Sequence, residues 1–424
     1  MFAKCFAIPK VTMFISMKKR FIQFLTLTTT ILLVVFCSEA FAQSFAFPQN
    51  TPFINGFIPN TVTAADAQTA YQVWKTAQVQ TCPNGTKRVK YDDSTQTVSE
   101  GIGYGMLLSA YHGDKILFDG LWKYYRNHLN ANGIMDWKIQ GCTGIRLGNN
   151  GATDAELDVA FSLTIADKQW GGYTSDAVTM INKIKQYETV ITASGLHVLK
   201  PGDAFGGVAC TNASYFSPGY YRVFGKIIPQ DSTFWNNMAR DSYIQLNANM
   251  DTTTGLVSDW QNAATGLAGD AGCGVSYFAS GQNYSYDASR TPWRFGLDYI
   301  WGNTTAQSYL DKVSNFVNSI PNGGIAAVKD GFKQNGTITG LYHNAPFVGA
   351  FAVAATSTSQ QRANAFATDF KNIPTSYEGY FGKSLRALYM LVLTGNFWNP
   401  LARFRSSDCT NVVCIPFSAK IVNP

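Results

Sequence analysis

The stretch "YGMLLSAYHGDKILFDGLWKYYRNHL", residues 104–129, indicates what kind of fold this chain adopts. Its apolar residues recur every three or four positions, which is the periodicity of a helix with one buried face. The same spacing recurs in residues 64–79, 156–170, 174–191, 232–250, 293–303, 306–320, 347–356, 359–373 and 383–393. The intervening segments are rich in Gly, Asn, Asp and Ser, and strand patterns are short and few. The sequence therefore predicts an all-α protein.

The number of helical segments narrows the architecture. Roughly ten to twelve helices fit into one domain if inner and outer helices form a ring and the connecting loops gather at one end. A helical solenoid could also hold this many helices, but it should show a repeat of fixed length. We find no such repeat in the sequence. Because long loops in compact domains usually carry function, we expect the functional site among the gathered loops.

The first residues have the pattern of an export signal. From Met17, three consecutive basic residues precede an apolar run that ends on "AFA" at Ala42. A basic start, an apolar centre and an A-x-A end are typical of a signal peptide. We therefore expect residues 1–42 to be removed and the mature protein to be secreted or periplasmic, without contact to a membrane. An uncleaved anchor, or a lipoprotein attached through Cys37, are the alternatives.

Removal of this leader changes the charge of the protein. The whole chain has a formal net charge of +6, and residues 1–42 hold five basic residues against one acidic residue. The mature chain is therefore close to neutral. This composition argues against a nucleic-acid-binding surface.

Six cysteines remain in the mature chain, at positions 82, 142, 210, 273, 409 and 414. An even number without the CxxC spacing of metal sites favours disulfides in an exported protein. Cys409 and Cys414 are close enough in sequence to close a small loop, and the other pairings stay open. No linker divides the chain, so we expect one domain over residues 43–405 and a short disulfide-tied tail over residues 406–424. We expect this domain to be a monomer.

The sequence lacks the residues that several kinds of catalysis require. The four histidines, at positions 112, 128, 197 and 343, are scattered and form no metal-binding pair. The sequence has no GxSxG elbow, no P-loop and no dinucleotide-binding GxGxxG between a strand and a helix. We therefore expect neither a metal nor a cofactor.

Carboxylates beside glycines and aromatic residues remain as candidates. They form three clusters: Glu100 in "SEGIGYGM", Asp154 with Glu156 and Asp158 in "ATDAELDVA", and Asp287 with Arg290 in "YSYDASRTPWR". Hydrolysis of a glycosidic bond uses one carboxylic acid as proton donor and one carboxylate that activates water. An arginine can hold a carboxylate ionised, and Trp and Tyr rings give flat faces for sugars.

Each cluster also has a purely structural interpretation. Glu100 could favour the start of a helix capped by Ser99, and Asp154 could itself be a helix N-cap. Asp287 and Arg290 could form an ordinary local ion pair, and the aromatic residues could belong to the core. The glycines Gly101 and Gly103 could leave room for a sugar or for a neighbouring helix.

Longer motifs resemble glycoside hydrolase family 8, whose best-known members are secreted bacterial endo-β-1,4-glucanases. They are "VSEGIGYGMLL", "LFDGLWKYYRNHLNANGIMDWKI", "ATDAELDVAFSLTIADKQW", "YDASRTPWR" and "YEGYFGKSLRALYML". The resemblance extends over roughly residues 53–398. Glu156 and Val159 stand where the family usually has Asp and Ile or Met. The resemblance implies an (α/α)6 barrel with an open substrate cleft at one end, and hydrolysis with inversion.

The resemblance also implies roles for individual residues. Glu100 matches the family's general acid, and Asp287 matches the general base of the subfamily that uses an aspartate in "YDxxR". Asp154 matches the aspartate that contacts the sugar at the cleavage point. Tyr286 and Arg290 flank the base and are expected to position it and the attacking water.

Further residues match substrate-binding positions of the family. Trp137 in "MDWKI" resembles a stacking residue, and Phe205 in "KPGDAFGG" stands where a tryptophan is frequent. Tyr377 and Tyr380 correspond more loosely to tyrosines near the reacting sugar. Tyr215, Tyr220 and Tyr221 either line the cleft or pack beneath it, and we expect packing for at least one of them.

The expected substrate is cellulose or a mixed-linkage β-glucan. Chitosan chains are cationic, so a chitosanase should add carboxylates along its cleft, and this chain has few acidic residues to spare. A chitosanase, a xylanase of the same family and a non-catalytic glycan-binding protein are the alternatives. Loss of Glu100 or Asp287 would mark a protein that only binds, and both residues are present.

Overall fold

The computed structural model describes residue 45, residues 47–269 and residues 281–402. Within these residues the chain forms twelve α-helices, which alternate between an outer and an inner position. The outer helices are α1 (Ala64–Gln78), α3 (Lys115–Arg126), α5 (Thr174–Tyr187), α7 (Ser232–Asn249), α9 (Gln307–Ser319) and α11 (Gln360–Asn372). The inner helices are α2 (Ser99–Tyr111), α4 (Thr153–Trp170), α6 (Pro218–Ile227), α8 (Thr291–Ile300), α10 (Ala345–Ala355) and α12 (Tyr380–Leu393).

Burial distinguishes the two sets of helices. Every residue of α10 is buried, and so is nearly all of α2, because neighbouring helices cover these helices on every side. Outer helix α1 buries one stripe only, formed by Ala67, Ala70, Tyr71 and Trp74. Each outer helix packs on an inner neighbour, as α3 does on α2 and α5 does on α4.

The inner helices form a closed ring. Helices α2 and α4 pack together, as do α6 and α8, α8 and α10, α10 and α12, and finally α12 and α2. Phe161 of α4 joins α6 to the ring, because its side chain stacks on Tyr220 at a ring-centroid distance of 3.8 Å. The prediction of an (α/α)6 barrel is therefore confirmed.

The two ends of the described chain meet beside this closure. The side-chain oxygen of Asn396 accepts hydrogen bonds from the backbone amides of Gln49 and Asn50, at 2.8 and 3.1 Å. Helix α1 packs on α12, where Trp74 donates a hydrogen bond to Ser384 at 3.2 Å. Residues from both ends of the sequence thus complete the barrel wall.

Seven short strands connect the helices at the edges of the described fold. Strands β1 (Val79–Thr81) and β2 (Lys87–Val89) form a hairpin, as do β6 (Thr189–Ile191) and β7 (His197–Leu199). Strands β3 (Thr97–Val98), β4 (Lys138–Gln140) and β5 (Ile145–Gly148) form an antiparallel sheet directly before the start of α2.

One disulfide, whose pairing the sequence analysis left open, lies between these strands. Cys82 follows β1, and its bond to Cys142 ties the first hairpin to the turn between β4 and β5. Cys210 is also disulfide-bonded. The leader of residues 1–42, the tail of residues 406–424 and the remaining cysteines of the mature chain lie outside the described residues. Among the described helices, none is both long enough and apolar enough to cross a lipid bilayer.

Two predicted helices differ from the observed ones, and one observed helix was not predicted. The segment 104–129 is two helices, because Gly113 adopts φ = +70° and ends the first of them. The segment 174–191 leaves the helix after Tyr187 and continues as β6. Helix α6, which begins at Pro218, was not predicted, since it is short and its pattern is dominated by aromatic residues.

Candidate active site

A single buried arginine joins the three carboxylate clusters. Arg290 ends a short 3₁₀ turn directly before α8, and its side chain is 1% exposed. Its Nη1 donates to Glu100 Oε2 at 2.6 Å and to Asp154 Oδ2 at 2.8 Å, and its Nη2 donates to Asp287 Oδ1 at 2.7 Å. A guanidinium can bridge carboxylates in this way because it presents several N–H groups in one rigid plane. The expected local pair of Asp287 and Arg290 is thus part of a larger network.

The network lies where inner helices begin. Glu100 and Asp154 are the second residues of α2 and α4, and Tyr380 is the first residue of α12. Ser214, shortly before α6, accepts from Arg290 Nη2 at 3.1 Å, and Asn344 precedes α10 directly. The positive ends of several helix dipoles therefore point towards the carboxylates and stabilise their charge.

The structural interpretation of these residues as helix caps is wrong. Val98 and Ala152 occupy the N-cap positions of α2 and α4, and neither helix has a side-chain cap. Ser99 lies inside α2. Asp154 lies inside α4, and its Oδ1 accepts a hydrogen bond from the amide of Ala155 at 2.9 Å.

Tyrosine hydroxyl groups hold the Glu100 carboxylate in place. Tyr380 donates to Glu100 Oε1 at 2.7 Å, and Tyr104 donates to Oε2 at 3.3 Å. The Glu100 side chain is 18% exposed, so part of the carboxylate faces the open cleft. Tyr380 itself is 2% exposed. Its observed contact is with Glu100. It also lines the cavity described below, so its expected place near the reacting sugar stays a prediction.

The glycines beside Glu100 make room for protein rather than for a ligand. A Cβ atom on Gly101 would lie 3.0 Å from the ring of Tyr380, and one on Gly103 would lie 3.0 Å from Asp158 Cβ. Both distances are shorter than ordinary carbon contacts. The prediction that these glycines leave space for a sugar is thus corrected: they let Tyr380 and helix α4 approach α2.

Burial and neighbouring charges set the protonation of the other two carboxylates. Burial raises the pKa of the Asp154 carboxyl, the Arg290 charge opposes this shift, and the negative charge of Glu100 adds to it. Burial also raises the pKa of Asp287, and Arg290 again opposes the shift. A carboxylate with a raised pKa is a stronger base than an exposed one, which suits a group that takes a proton from water.

Asp259 is a site residue that the sequence analysis missed. Its Oδ1 accepts hydrogen bonds from the backbone amides of Ser285 and Ala288, at 2.9 and 2.8 Å, and so fixes the turn that carries Asp287. Burial, followed by the charge of Asp287, raises the pKa of Asp259 well above its ordinary value. No local pattern marks Asp259, because its partners follow it by 26 and 29 positions.

An open cavity of about 560 Å³ lies over this network. Its aromatic lining consists of Tyr91, Tyr286, Tyr377, Tyr380 and Phe381, and Glu100 and Asp287 reach its surface. Tyr377 is 92% exposed. This volume and lining are typical of a pocket for a small molecule or a segment of a polymer.

Tyr286 lines the cavity, but its hydroxyl points away from the neighbouring Asp287. The hydroxyl donates to Asp330 at 2.7 Å and accepts from Asn344 at 3.1 Å. Its ring packs edge-on against Phe347 and Phe381. Tyr286 is therefore fixed by the loop that carries Asp330, and it presents a half-exposed ring to the cleft.

Trp137 and Phe205 lie beside other parts of the network and do not line this cavity. Trp137 is 40% exposed, and its backbone carbonyl accepts from the amide of Ser99, the neighbour of Glu100. Phe205 is half-buried and packs so closely over Gly202 that a Cβ there would lie 2.4 Å from its ring. A stacking role for both residues stays a prediction.

The three tyrosines around α6 pack beneath the network. Tyr220 and Tyr221 are buried, and they stack on Phe161 and Trp235 respectively. The ring of Tyr215 lies 5.3 Å from the Arg290 guanidinium, which is close enough for a cation–π contact. The expectation of packing is confirmed for Tyr220 and Tyr221.

A second buried ion pair lies one helical turn deeper in the barrel. Arg294 and Asp158 follow Arg290 and Asp154 by four positions, and Arg294 donates to both carboxylate oxygens of Asp158, at 2.5 and 2.8 Å. Both side chains are essentially unexposed. This pair supports the site from below and does not reach the cavity lining.

Known proteins are similar to this chain in sequence and in fold. A family model described as "Glycosyl hydrolases family 8" matches residues 54–395. Endoglucanase 2 of Ruminiclostridium josui is 37% identical over 380 residues, which cover 84% of this chain and 78% of that protein. Endoglucanase A of Acetivibrio thermocellus is 36% identical over 348 residues, which cover 78% and 69% of the two chains. The solved structure of a β-1,3-1,4-glucanase from Paenibacillus sp. X4 matches with a TM-score of 0.76 at 30% identity, covering 84% of this chain and all of that one.

Proposed function

Because this chain belongs to family 8 of the glycosyl hydrolases, we propose that hydrolysis takes place at the carboxylates joined by Arg290. The chain is an endo-acting glycoside hydrolase that cleaves β-1,4-glucan with inversion of the anomeric configuration. The observation that carries the proposed site is the convergence of Glu100, Asp154 and Asp287 on one guanidinium below an open cavity.

The proposed roles divide the reaction between two partly exposed carboxyl groups. Glu100 protonates the glycosidic oxygen as the bond breaks, and Tyr380 and Arg290 keep its carboxyl group aimed at the cleft. Asp287 accepts a proton from the water molecule that attacks the opposite face of the sugar. Its side chain is 25% exposed, which leaves an approach for that water. Asp259 holds the backbone of this turn and acts as a positioning residue.

The remaining carboxylate and the aromatic residues hold the substrate. Asp154 is almost fully buried, and its free lone pairs accept hydrogen bonds from the hydroxyl groups of the sugar at the cleavage point. The exposed rings of Tyr286 and Tyr377 offer faces for sugars within the cavity. Trp137 and Phe205 extend this set beyond the cavity.

The charge of the cavity lining favours a neutral glucan over chitosan. Besides Glu100 and Asp287, the lining includes the carboxylates of Asp92, Asp259 and Glu378. Asp259 is buried against backbone amides, and Glu378 is paired with Arg386. Asp92 is then the one exposed, unneutralised carboxylate that the lining adds, which is too little charge for a cationic polymer.

A panel of soluble polysaccharides tests the substrate. We expect the purified mature enzyme to release reducing sugar strongly from carboxymethyl cellulose and mixed-linkage β-glucan, as the names of its relatives suggest. We expect weak release from chitosan, because the lining adds only one unneutralised carboxylate for a cationic polymer. We also expect weak release from xylan, because the endoglucanases are more similar to this chain than the xylan-directed relative is. The Glu100→Gln variant is the blank. Release mainly from chitosan or xylan would overturn the substrate, and release from none of the four would favour a protein that only binds glycans.

The stereochemistry of the first product tests the mechanism. Attack of water on the opposite face of the sugar predicts that cellopentaose or cellohexaose gives the α-anomer first. Proton NMR spectra recorded during the first turnovers, before mutarotation, distinguish the two anomers. Early appearance of the β-anomer would exclude the role of Asp287 as the base for a direct displacement.

We also propose that the enzyme is exported after loss of residues 1–42 and acts as a monomer in the periplasm or the medium. The leader pattern and the Cys82–Cys142 disulfide support this location, since such bonds persist in oxidising compartments. The catalytic domain is proposed to extend over residues 43–405, followed by the tail of residues 406–424.

A further inference from the structure

Two glutamates that have no part in the proposed reaction are fully buried behind Asp154. Glu156 lies in the first turn of α4, and Glu188 directly follows α5. Tyr125 donates a hydrogen bond to Glu156 Oε1 at 2.8 Å. Glu156 Oε2 and both oxygens of Glu188 form no well-aligned hydrogen bond among the described residues. The hydroxyl of Thr153, which also lacks a well-aligned partner, is a donor beside Glu188. Buried polar atoms without partners are rare in folded proteins and call for a physical explanation.

The two side chains meet against the backbone that leads to Asp154. A Cβ atom on Gly151 would lie 3.2 Å from Glu188 Oε1 and 3.3 Å from Glu156 Oε2. The amide of Gly151 donates to Asp203 Oδ1 at 2.8 Å, which fixes this backbone from the other side. The glutamates therefore contact the loop whose position determines where α4, and with it Asp154, begins.

Among the described residues, no cation forms an ion pair with Glu156 or Glu188. The positive charge of Lys200 acts on Glu188, but its ammonium donates to the backbone carbonyls of Tyr187 and Asp203, at 2.8 and 2.6 Å. Asp203 and Asp154 add further negative charge. Among the described residues, no group of three or more Asp, Glu, His and Cys side chains is arranged to hold a metal ion.

One proton shared between Glu156 and Glu188 supplies a hydrogen bond between them. If either glutamate is protonated, its O–H can donate to the other carboxylate, and one hydrogen bond then joins two of the three unpartnered oxygens. Burial raises the pKa of both groups well above the ordinary value, and the charges of the neighbouring carboxylates add to the shift. The hydroxyl groups of Tyr125 and Thr153 and the charge of Lys200 oppose it.

We propose that Glu156 and Glu188 share one proton, and that this acid pair is a positioning device that keeps the Gly151 loop and Asp154 in place. While the proton is held, the pair ties the end of α5 to the start of α4. When it is lost, two adjacent buried carboxylates repel each other and displace the start of α4. The positioning role rests on the role proposed above for Asp154, whereas the shared proton does not.

The shared proton makes stability depend on pH in a definite direction. The folded protein binds this proton between the ordinary pKa of a glutamate and the raised pKa of the pair, and the unfolded chain does not. The stability of the native state therefore falls as the pH rises through that window. A glutamine at position 188 removes this loss, because its amide donates to Glu156 at every pH.

Thermal unfolding of the Glu188→Gln variant tests this expectation. We expect its Tm to match that of the wild type near pH 5 and to exceed it at pH 8, and we expect Glu156→Gln to behave in the same way. Equal lowering of the Tm at both pH values would mean that the glutamates are only structural, and it would overturn the shared proton.

A direct measurement on the wild type covers the case in which neither variant folds. The chain has five glutamates, so labelling with [δ-¹³C]glutamate gives few carboxyl signals. We expect a signal that keeps the chemical shift of a protonated acid at neutral pH and that remains when Glu100, the proposed proton donor, is replaced by Gln. Loss of that signal in Glu100→Gln would assign it to Glu100 and overturn the shared proton. A spectrum in which every glutamate is fully ionised at pH 7 would overturn the proposal.

The positioning role needs a readout of its own. We expect Glu188→Gln to retain kcat within about twofold at pH 6. We expect its kcat to fall about one pH unit later than that of the wild type as the pH rises. Over one pH unit, the ratio of ionised to protonated acid at a single site changes tenfold. If the NMR signal is present but the two pH profiles coincide, the proton is shared without positioning Asp154, and that half of the proposal fails. Inactivity of the wild type on every glycan would count against the proposed function alone, because the NMR and unfolding results do not depend on it.

Discussion

Replacement of Glu100 by Gln should lower kcat on β-glucan by about 10²–10⁴-fold, the range that a well-placed general acid contributes. The variant keeps the shape of the side chain and loses only the proton that the leaving oxygen needs. Its amide oxygen can still accept from Arg290, and its NH₂ group can donate to the Tyr380 hydroxyl. The Kd for a cello-oligosaccharide, measured by calorimetry, should therefore stay within a few-fold of the wild-type value.

An activated substrate separates the acid from the base. A dinitrophenolate group leaves without protonation, so Glu100→Gln should recover much of its lost rate on a 2,4-dinitrophenyl β-cellooligoside. The matched variant Asp287→Asn should lose a similar factor on glucan and should not recover, because the attacking water still needs a base. Near-normal turnover of glucan by Glu100→Gln, or equal recovery by both variants, would reverse or exclude the assignment.

Replacement of Arg290 by Lys should lower kcat by about 10²-fold or more, the cost of a misplacement of about 1 Å at a reacting centre. Lysine keeps the charge, but a single ammonium cannot bridge Glu100, Asp154 and Asp287 from a rigid plane.

Arg290→Met removes the charge as well. It leaves three carboxylates without their cation, which should lower the free energy of unfolding by about 3–5 kcal/mol. Urea unfolding and initial rates measure the two effects separately.

Arg294 supplies the matched control for Arg290. It is equally buried and forms a bidentate ion pair with Asp158, with one hydrogen bond to each carboxylate oxygen. It forms no hydrogen bond or ion pair with Glu100 or Asp287. Arg294→Lys should therefore lower the free energy of unfolding while the folded enzyme keeps most of its kcat. If Arg290→Lys and Arg294→Lys lost activity to the same extent, Arg290 would be a support of the fold rather than part of the catalytic site.

The sequence was most informative where side-chain chemistry is concentrated in short motifs. The clusters around Glu100, Asp154 and Asp287 could be found because each places carboxylates among glycines or aromatic residues. Helical periodicity likewise predicted most of the barrel, since an inner or outer helix must bury a continuous face. The pairing of Arg290 with Asp287 could also be predicted, because the two residues lie three positions apart in the sequence.

Contacts between distant parts of the chain could not be predicted from local sequence patterns. Arg290 and Glu100 are 190 positions apart, and no local pattern predicts that they meet. Asp259 binds backbone amides, which have no sequence signature of their own. Gly101 was correctly taken as a point of close approach, but the approaching group is the ring of Tyr380, which follows 279 positions later. The role of each such residue depends on tertiary structure.

The bond between Tyr380 and Glu100 lies where the ring of inner helices closes. Tyr380 begins the last inner helix and Glu100 belongs to the first, so the bond joins residues 280 positions apart in the sequence. Contacts of such large sequence separation form slowly, because the entropy of closing a long loop is lost before they contribute. Recovery of turnover during refolding should therefore lag behind recovery of helical content.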